Sequence, residues 1–442
     1  MKNSPLDPVI IVGGGWAGLS AAVCLVEQGY SVRLFESAKQ FGGRARCVPF
    51  ADMSVDNGQH LLLGAYSETL NIMRTCNTDF DKVLLRQPLN WKLMNKQGLD
   101  VKLSASNLPA PFNILFAILG AQGYSLPEKI KTLRFMYSQH HNGFIIENDI
   151  SVEALLSGQP KRVINTLWEP MCIAALNTPI NIASAKIFLN VIRDSFTRHA
   201  RDADTLYTIN DLGQLFVQPA IDFIESKGSQ VNLGQRIDTL DIHNNEIQAV
   251  HIGDERISAS QVILASSASG CHKLLNTHTA LSIIRNKLEQ LAYQPICTLY
   301  LQYPENISPT EPMLGLSDMT GQWIFDRRFA NQPGLMAVVI SADGPHMKLD
   351  NETLTQLVSD ELCECFGWPE PQQHLVVREK RATFSACINV DELRPETTTP
   401  VKGLWLAGDY TRSPYPSTLE AAVRSGVQCA QAIIQQTNRT PA

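Results

Sequence analysis

The first 36 residues carry the hydrophobic pattern of a single β-α-β unit. Residues 8–12 form an apolar run of strand length that leads directly into glycines. Residues 16–28 are small or apolar, as in a buried helix, and stop at Gly29. Residues 31–35 alternate as a strand does and end on Glu36. The pattern therefore predicts a strand, a helix and a second strand in that order.

Beyond this unit, helical and strand patterns occur in blocks. Residues 108–227 are predicted to be mainly helical. Within them, residues 182–196 predict a helix with four apolar residues on one face, namely Ala185, Phe188, Leu189 and Ile192. Two further helices are predicted at residues 352–366 and 417–436. Strand patterns occur at residues 230–233, 237–242, 246–252, 261–265, 296–303, 335–341 and 403–407.

Composition narrows the class of protein. The 442 residues are 44% hydrophobic and 18% charged, which is typical of a globular chain with two or three domains. Lys and Arg number 37 against 43 Asp and Glu, and the resulting charge of −6 argues against a nucleic-acid binder. Of ten cysteines only Cys363 and Cys365 are close, so we expect reduced thiols, no metal site and a cytoplasmic location. Residues 1–15 lack the pattern of a signal peptide.

The most apolar stretch, residues 108–127, has two interpretations. No run reaches 18 uninterrupted apolar residues, so we expect no helix that spans a bilayer. The central residues 112–121 are apolar except for Asn113. They predict either a buried helix or a helix that dips into one leaflet of a membrane.

The turn after the first predicted strand has the spacing of a dinucleotide-binding site. Gly13 permits the tight turn, Gly15 lets the backbone approach a pyrophosphate, and Gly18 lets the helix pack against the strand. The first turn of that helix, which includes Ala17, offers free N–H groups to phosphate. Glu36 can accept hydrogen bonds from both ribose hydroxyls and would repel a 2′-phosphate. The site therefore suits FAD or NAD rather than NADP.

The residues that follow favour FAD over NAD. Gly43 and Arg44 come directly after the Glu36 region, in the segment FGGRAR, for which an NAD enzyme has no need. A flavoprotein can use the glycine for close backbone approach and the arginine near the pyrophosphate or the flavin. The next turn, VDNGQH, adds Gly58, Gln59 and His60 on the side of the flavin.

The C-terminal segment has a similar order of a strand, a glycine turn and a helix. Gly408 and Asp409 follow the strand at residues 403–407, and Asp409 is placed for the ribityl chain or the pyrophosphate edge. Thr418 and Leu419 begin a helix whose positive end would stabilise the negative charge of a reduced flavin. Residues 389–428 contain no cysteine, so we expect noncovalent FAD.

These segments together resemble the FAD superfamily that contains amine oxidases and phytoene desaturases. The resemblance implies an α/β fold, with a Rossmann-like FAD-binding domain of the GR2 type and an inserted α+β substrate domain. It also implies that Ile237 contacts the adenine. We predict a discontinuous FAD-binding domain and a substrate domain that is mainly helical at residues 108–214. The first comprises residues 1–85, 215–290 and 385–442, and the second comprises residues 86–214 and 291–384.

Three longer segments narrow the resemblance. VDNGQHLLLGAY, LWEPMCIAALNTPINIASAKIFLNVIRDSF and LAGDYTRSPYPSTLEAAVRSG are similar to the hydroxysqualene dehydroxylases, squalene-associated FAD enzymes of bacterial hopanoid pathways. The resemblance implies reduction of hydroxysqualene to squalene by reduced FAD. Its substrate would be a long apolar isoprenoid, so we expect peripheral contact with the inner face of the cytoplasmic membrane. Only one glycine fingerprint is present, so we expect reduction by an external electron donor, or by NAD(P)H at a site that the sequence does not show.

Loss of an allylic hydroxyl as water needs an acid, and two residues are candidates. His60 has a pKa suited to acid catalysis, although it could instead hold its loop. Glu169 precedes a proline and could instead begin a helix. An apolar tunnel could be lined by residues 108–136 and 167–196, including Trp168, Phe188 and Phe196, which could equally be ordinary core.

Three other functions use similar parts. A carotenoid or phytoene desaturase would take hydride from its substrate to oxidised FAD. An amine oxidase would need an aromatic cage, which the sequence does not indicate. A nonenzymatic prenyl-lipid carrier, like the GDP-dissociation inhibitors, would need a degraded FAD site. The sequence does not predict an oligomeric state.

Overall fold

The computed structural model describes residues 7–276 and 278–439. Residues 1–6, on which part of the expectation about a signal peptide rests, lie outside this range. The α-helices of the described residues are, in chain order, α1 (Trp16–Glu27), α2 (Ser67–Thr75), α3 (Phe80–Val83), α4 (Phe112–Gly120), α5 (Leu126–His141), α6 (Val152–Leu155), α7 (Lys161–Val163), α8 (Glu169–Leu176), α9 (Ala185–Phe196), α10 (Gln218–Ser226), α11 (Ala268–Leu274), α12 (Ser282–Gln290), α13 (Asn351–Phe366) and α14 (Leu419–Arg439). Two π-helical turns, Ile164–Trp168 and Gly213–Val217, lead into α8 and α10.

The strands form five sheets in the described part of the chain. In chain order they are β1 (Val9–Val12), β2 (Val32–Glu36), β3 (Cys47–Phe50), β4 (Met53–Asp56), β5 (Leu62–Leu63), β6 (Leu84–Gln87), β7 (Asn90–Asn95), β8 (Gly98–Ser104), β9 (Thr205–Thr208), β10 (Gln230–Leu233), β11 (Thr239–His243), β12 (Glu246–Ile252), β13 (Glu255–Ser258), β14 (Val262–Leu264), β15 (Tyr293–Gln302), β16 (Met313–Leu316), β17 (Trp323–Asp326), β18 (Leu335–Ser341), β19 (Gln373–Phe384) and β20 (Leu404–Leu406).

A parallel sheet joins the two ends of the chain. Its strand order is β10-β2-β1-β14-β20, and every pair of neighbours is parallel. All four residues of β1 are buried, as expected for a central strand of a parallel sheet covered on both faces. Helices α1 and α14 pack against each other, which ties the N-terminal unit to the C-terminal segment. The predicted α/β fold and its β-α-β unit are confirmed.

A second, mixed sheet of seven strands has the order β19-β15-β18-β17-β16-β7-β8. Only the β16–β7 pair within it is parallel. The β7–β8 hairpin was not predicted, although buried Trp91 and Leu93 alternate with more exposed neighbours, as do Val101 and Leu103. That alternation is the signal from which the hairpin could have been found.

The segment at residues 108–227 is mainly helical, as predicted, but it contains strand β9. This strand pairs with β5 and β6, so that sheet takes strands from both sets of segments that we assigned to different domains. The division into domains remains a prediction. The helix predicted at residues 182–196 begins later, at Ala185, because the Ser184 hydroxyl accepts the Ile187 N–H at 3.2 Å and caps it.

Helix α4 lies in the stretch that had two interpretations. One face is buried, through Asn113, Ile114, Ala117 and Ile118. The other face is exposed, so a wholly buried helix is not what forms. Within residues 7–276 and 278–439, no helix is long and apolar enough to cross a membrane.

Candidate active site

A cavity of about 800 Å³ lies at the carboxyl ends of the parallel strands. The opposite wall comes from the seven-stranded sheet, through Ile296 of β15 and through Val377 and Thr383 of β19. Cavities of about 300–1,000 Å³ are typical of ligand sites, and the carboxyl end of an open parallel sheet is where such folds bind nucleotides.

The glycine turn after β1 forms one end of this cavity. Gly13 has φ of +115°, and a Cβ there would lie 2.6 Å from the carbonyl oxygen of Ala265. Gly15 caps α1 without a side-chain hydrogen bond, so the first N–H groups of the helix remain available to a ligand. A Cβ on Gly43 would lie 3.3 Å from the Gly15 Cα, which keeps the two segments in close contact. The turn is therefore open to a phosphate group.

Gly18 does not line the cavity. A Cβ there would collide with the carbonyl oxygen of Gly13 and approach Ala265. Gly18 therefore allows helix α1 to lie close to the sheet, which is the packing role that the sequence predicts for it.

Glu36 stands at the end of β2 and faces the cavity. One carboxylate oxygen, Oε2, accepts the Gly14 N–H at 2.7 Å, and the other, Oε1, accepts the Ala38 N–H at 2.7 Å. Each carboxylate oxygen can accept a further hydrogen bond. The side chain is therefore oriented by the backbone and still has acceptors for a pair of hydroxyls.

Arg44 and Asp409 form an ion pair between the N-terminal and C-terminal segments. Asp409 also accepts a hydrogen bond from the Ser417 hydroxyl, and Arg44 donates to the Ala382 carbonyl oxygen at 2.6 Å. Burial alone would raise the pKa of Asp409, but Arg44 and the Ser417 hydroxyl hold it below its usual value. Asp409 is therefore an anion, and it holds Arg44 at the wall of the cavity.

Arg394 supports this arrangement and was not predicted from the sequence. Its guanidinium is fully buried and donates to the carbonyl oxygens of Ser413 at 2.7 Å and Thr411 at 2.6 Å. It also donates to the Asp409 carbonyl oxygen at 3.2 Å. One side chain thus fixes the loop that carries Asp409. No local motif marks Arg394, so the sequence offers no signal for it.

His60 lines the cavity at the end of the VDNGQH turn. Its Nδ1 lies 2.8 Å from the Gly58 carbonyl oxygen. Because a carbonyl oxygen only accepts, Nδ1 carries a hydrogen, which leaves Nε2 as the nitrogen that can exchange a proton. Burial lowers the pKa of His60 below its usual value, against the opposing effects of the Asp56 carboxylate and the Gly58 carbonyl.

Two buried residues that do not line the cavity, Asp56 and Arg327, hold the VDNGQH turn in place. The Asp56 side chain is fully buried, and its Oδ1 accepts the Leu212 N–H at 2.9 Å. Burial raises the pKa of Asp56. Arg327, also buried, donates to Gln59 Oε1 at 3.0 Å. Neither residue was predicted from the sequence to belong to the site.

The structure brings most of the predicted site residues to this one cavity. Those that line it are Gly13, Gly15, Ala17, Glu36, Gly43, Arg44, Gly58, Gln59, His60, Ile237, Gly408, Asp409, Thr418 and Leu419. The Thr418 hydroxyl accepts the Ala421 N–H at 3.1 Å, so it also caps α14.

Glu169 is not brought to the cavity. It begins helix α8, is half-buried, and does not appear among the lining residues. Burial raises the pKa of Glu169, and the nearby Glu153 raises it further. Trp168 and Phe188 are fully packed in the core rather than at the cavity wall, in edge-on ring contact at 6.5 Å between centroids.

Known proteins are similar to this chain over almost its full length. Residues 16–434 match the family described as flavin containing amine oxidoreductase. The hydroxysqualene dehydroxylase of Zymomonas mobilis subsp. mobilis is 26% identical over 95% of this chain and 97% of its own. The 15-cis-phytoene desaturase of Glycine max is 24% identical over 98% of this chain and 80% of its own.

Solved structures show the same fold. An oxidoreductase from Methanosarcina mazei superposes with a TM-score of 0.76 at 15% identity, over 97% of this chain and 100% of the other. The family match and the similarity to a hydroxysqualene dehydroxylase confirm the resemblance expected from the sequence over nearly the whole chain, and the family implies a flavin cofactor.

Proposed function

The chain belongs to the family of flavin-containing amine oxidoreductases, and we propose that it reduces hydroxysqualene to squalene with electrons from FAD. The observation that carries this proposal is the similarity to a hydroxysqualene dehydroxylase along almost the full length of both chains. It includes the residues 167–196, outside the cofactor turns, where sequences that share only a cofactor would diverge.

We propose noncovalent FAD as the cofactor. The uncapped N-terminus of α1 fits a pyrophosphate, and the Glu36 carboxylate fits the two hydroxyls of an adenosine ribose but repels a 2′-phosphate. Arg44 and Asp409 fit the centre of the dinucleotide, and α14 begins beside the flavin end. No cysteine is among the residues that line the cavity in the described part of the chain.

When bound and reduced, this cofactor supplies hydride. The residues of the chain supply the proton and exclude water. His60 gives a proton from Nε2 to the allylic hydroxyl, the C–O bond breaks, and the oxygen leaves as water. The carbon then receives hydride, so one alcohol, one proton and one hydride give one hydrocarbon and one water. The apolar Ile296 and Val377 shield the allylic cation from water.

The other parts of the proposal follow from the substrate. A long apolar isoprenoid partitions into membranes, so the enzyme would work in the cytoplasm with peripheral contact to the inner face of the membrane. Electrons would come from an external donor. We also propose that residues 1–85, 215–290 and 385–442 form the cofactor domain, because all five strands of the parallel sheet come from these segments.

The reaction is tested by anaerobic incubation of photoreduced holoenzyme with hydroxysqualene. We expect squalene to form while the flavin returns to its oxidised spectrum. A phytoene desaturase is the second candidate, because a relative with that name covers 98% of the chain. Flavin reduction by phytoene, with no squalene formed from hydroxysqualene, would establish that function instead.

A further inference from the structure

Helix α4 exposes an apolar face that the rest of the described chain leaves uncovered. Phe112, Phe116 and Leu119 lie one and two turns apart on this face, and each is at least 41% exposed. The opposite face is buried in the core, so the helix cannot turn to hide these side chains. The chain carries no charged side chain between residues 103 and 127.

Helix α5 extends this face. Leu126, Ile130 and Tyr137 share one side of the helix and are 39–73% exposed. Lys129 Nζ donates to the Leu119 carbonyl oxygen at 2.9 Å, which joins the end of α4 to the start of α5. The α4–α5 face is hereafter the surface formed by Phe112, Phe116, Leu119, Leu126, Ile130 and Tyr137.

Two exposed basic side chains of α5 flank the α4–α5 face, Arg134 beside it and Lys131 farther round the helix. With 3.6 residues per turn, Arg134 lies about 80° and Lys131 about 140° around the axis of α5 from Leu126. Both are exposed, and neither has an ion-pair partner within residues 7–276 and 278–439. An apolar surface with a basic edge matches a bilayer with anionic headgroups.

The interior behind this face is aromatic. The ring of Phe135, on the inner side of α5, lies 5.2 Å from the ring of Trp168, which contacts Phe188 of α9. The buried sides of α4 and α5 and the predicted substrate region around Trp168 and Phe188 are thus parts of one apolar cluster, which lies directly behind the exposed face. A lipid that left the bilayer at α4 and α5 would meet apolar side chains directly.

We propose that the α4–α5 face docks on the surface of an anionic lipid bilayer, with its apolar side chains in one leaflet and with Lys131 and Arg134 among the headgroups. This deepens the proposed function by naming the surface that would load the isoprenoid, and it rests on that function only for the identity of the cargo. A two-fold dimer through the same surface would bring two basic edges together, which disfavours a second copy as the occupant.

The test is co-sedimentation of the FAD-loaded enzyme, without substrate, with vesicles of phosphatidylcholine alone or mixed with phosphatidylglycerol. We expect the wild type to bind the mixed vesicles more tightly. The double variant Phe112→Ser, Phe116→Ser should lose at least about tenfold in vesicle affinity, because each phenyl ring loses its apolar contact with lipid. Each of Lys131→Gln and Arg134→Gln should lose about fivefold on the mixed vesicles.

The matched control is Ile283→Ser on α12, which removes a side chain that is 72% exposed outside the α4–α5 face. It should bind vesicles as the wild type does. Absence of wild-type binding, or equal binding by the Phe double variant, would overturn the proposal. So would a dimer, seen by sedimentation velocity, that this double variant dissociates.

Turnover of detergent-dispersed hydroxysqualene separates this proposal from the proposed function. Phe112 and Phe116 are exposed and do not line the cavity, so the Phe double variant should keep the wild-type rate in detergent, where no bilayer has to be found. A wild type that binds vesicles but makes no squalene would contradict the reaction and leave the docking face standing.

Discussion

The Gly14 N–H donates to Glu36 Oε2 at 2.7 Å, so the acid at the end of β2 is bonded directly to the turn after β1. The other carboxylate oxygen accepts the Ala38 N–H at the same distance. Glu36 therefore has two tasks. It fixes the relative position of two segments of the cofactor turn, and it presents its remaining lone pairs to the ribose.

Replacing Glu36 by glutamine tests the second task. The amide keeps one oxygen but cannot accept at its nitrogen, so one of the charge-assisted bonds to the ribose is lost. We expect FAD affinity of the apoprotein to fall by roughly ten- to a hundredfold, from about 1.5–3 kcal/mol per such bond. Quenching of flavin fluorescence on titration with apoprotein measures this affinity.

The first task predicts a smaller effect on folding. Loss of one backbone partner should cost about 1 kcal/mol of unfolding free energy in the apoprotein, while its circular dichroism stays unchanged. Glu225→Gln, at an exposed position on α10, is the matched control. It should alter neither the FAD affinity nor the free energy of unfolding of the apoprotein. Unchanged FAD affinity in Glu36→Gln would show that Glu36 does not meet the ribose.

The features that the sequence predicted share a local origin. The β-α-β unit and the glycine turn are encoded by periodicity and spacing within 36 residues, so they could be found without knowing any long-range contact. Arg327 could not be found in this way, because its bond to Gln59 joins positions 268 residues apart. Whether the Glu169 side chain reaches the cavity could not be predicted either, because the orientation of α8 depends on its packing rather than on its own residues.

The α4 segment shows a different limit. Its apolar composition predicts a helix, but composition does not say which face the core will cover. Only the packed structure shows that Phe112 and Phe116 remain outside while Ile114 and Ile118 lie inside. The helix is therefore not wholly buried, and contact of its exposed face with a membrane leaflet stays a prediction.

Asp409→Asn should uncouple Arg44 from the C-terminal segment. The nearly buried Asp409 accepts from both Arg44 and Ser417, and an amide leaves one of these donors without a partner. We expect the apoprotein to lose about 1–3 kcal/mol of stability at neutral pH, measured as a lower Tm. Asp254→Asn, on an exposed turn, should leave Tm unchanged.

The difference in Tm between the wild type and Asp409→Asn should depend on pH with a fixed sign. Because the pKa of Asp409 in the folded protein lies below its unfolded value of about 3.9, its stabilising effect is complete above that value. The effect is lost as pH falls through the folded pKa. The gap in Tm between wild type and Asp409→Asn should therefore close in acid, and a gap that widened there would contradict the assignment.

Glu169→Gln should leave turnover within about twofold of the wild type, because the side chain does not reach the cavity. Since burial and Glu153 raise the pKa of Glu169, the charged carboxylate costs stability at neutral pH. The variant should therefore be at least as stable there, with the difference vanishing in acid, where the wild-type carboxyl is protonated. A large drop in single-turnover rate would restore Glu169 as the proton donor.

His60 makes the direction of the reaction visible in its pH profile. The bond from Nδ1 to Gly58 leaves Nε2 as the active nitrogen, and burial places the pKa of the ring below about 6.5. For proton donation to a leaving hydroxyl, only the imidazolium is active. The rate of flavin reoxidation by hydroxysqualene should keep rising as pH falls below about 6.5, and it should level off only below the lowered pKa of His60.

His60→Gln should lower this rate by about a hundredfold and should remove the limb of the profile that depends on the imidazolium, whereas FAD affinity should hardly change. A desaturase that used His60 as a base would show the opposite slope, because only the neutral ring can take a proton. Retention of the wild-type profile by His60→Gln would assign the proton to another group. The slope thus reports which way hydride moves, independently of any product analysis.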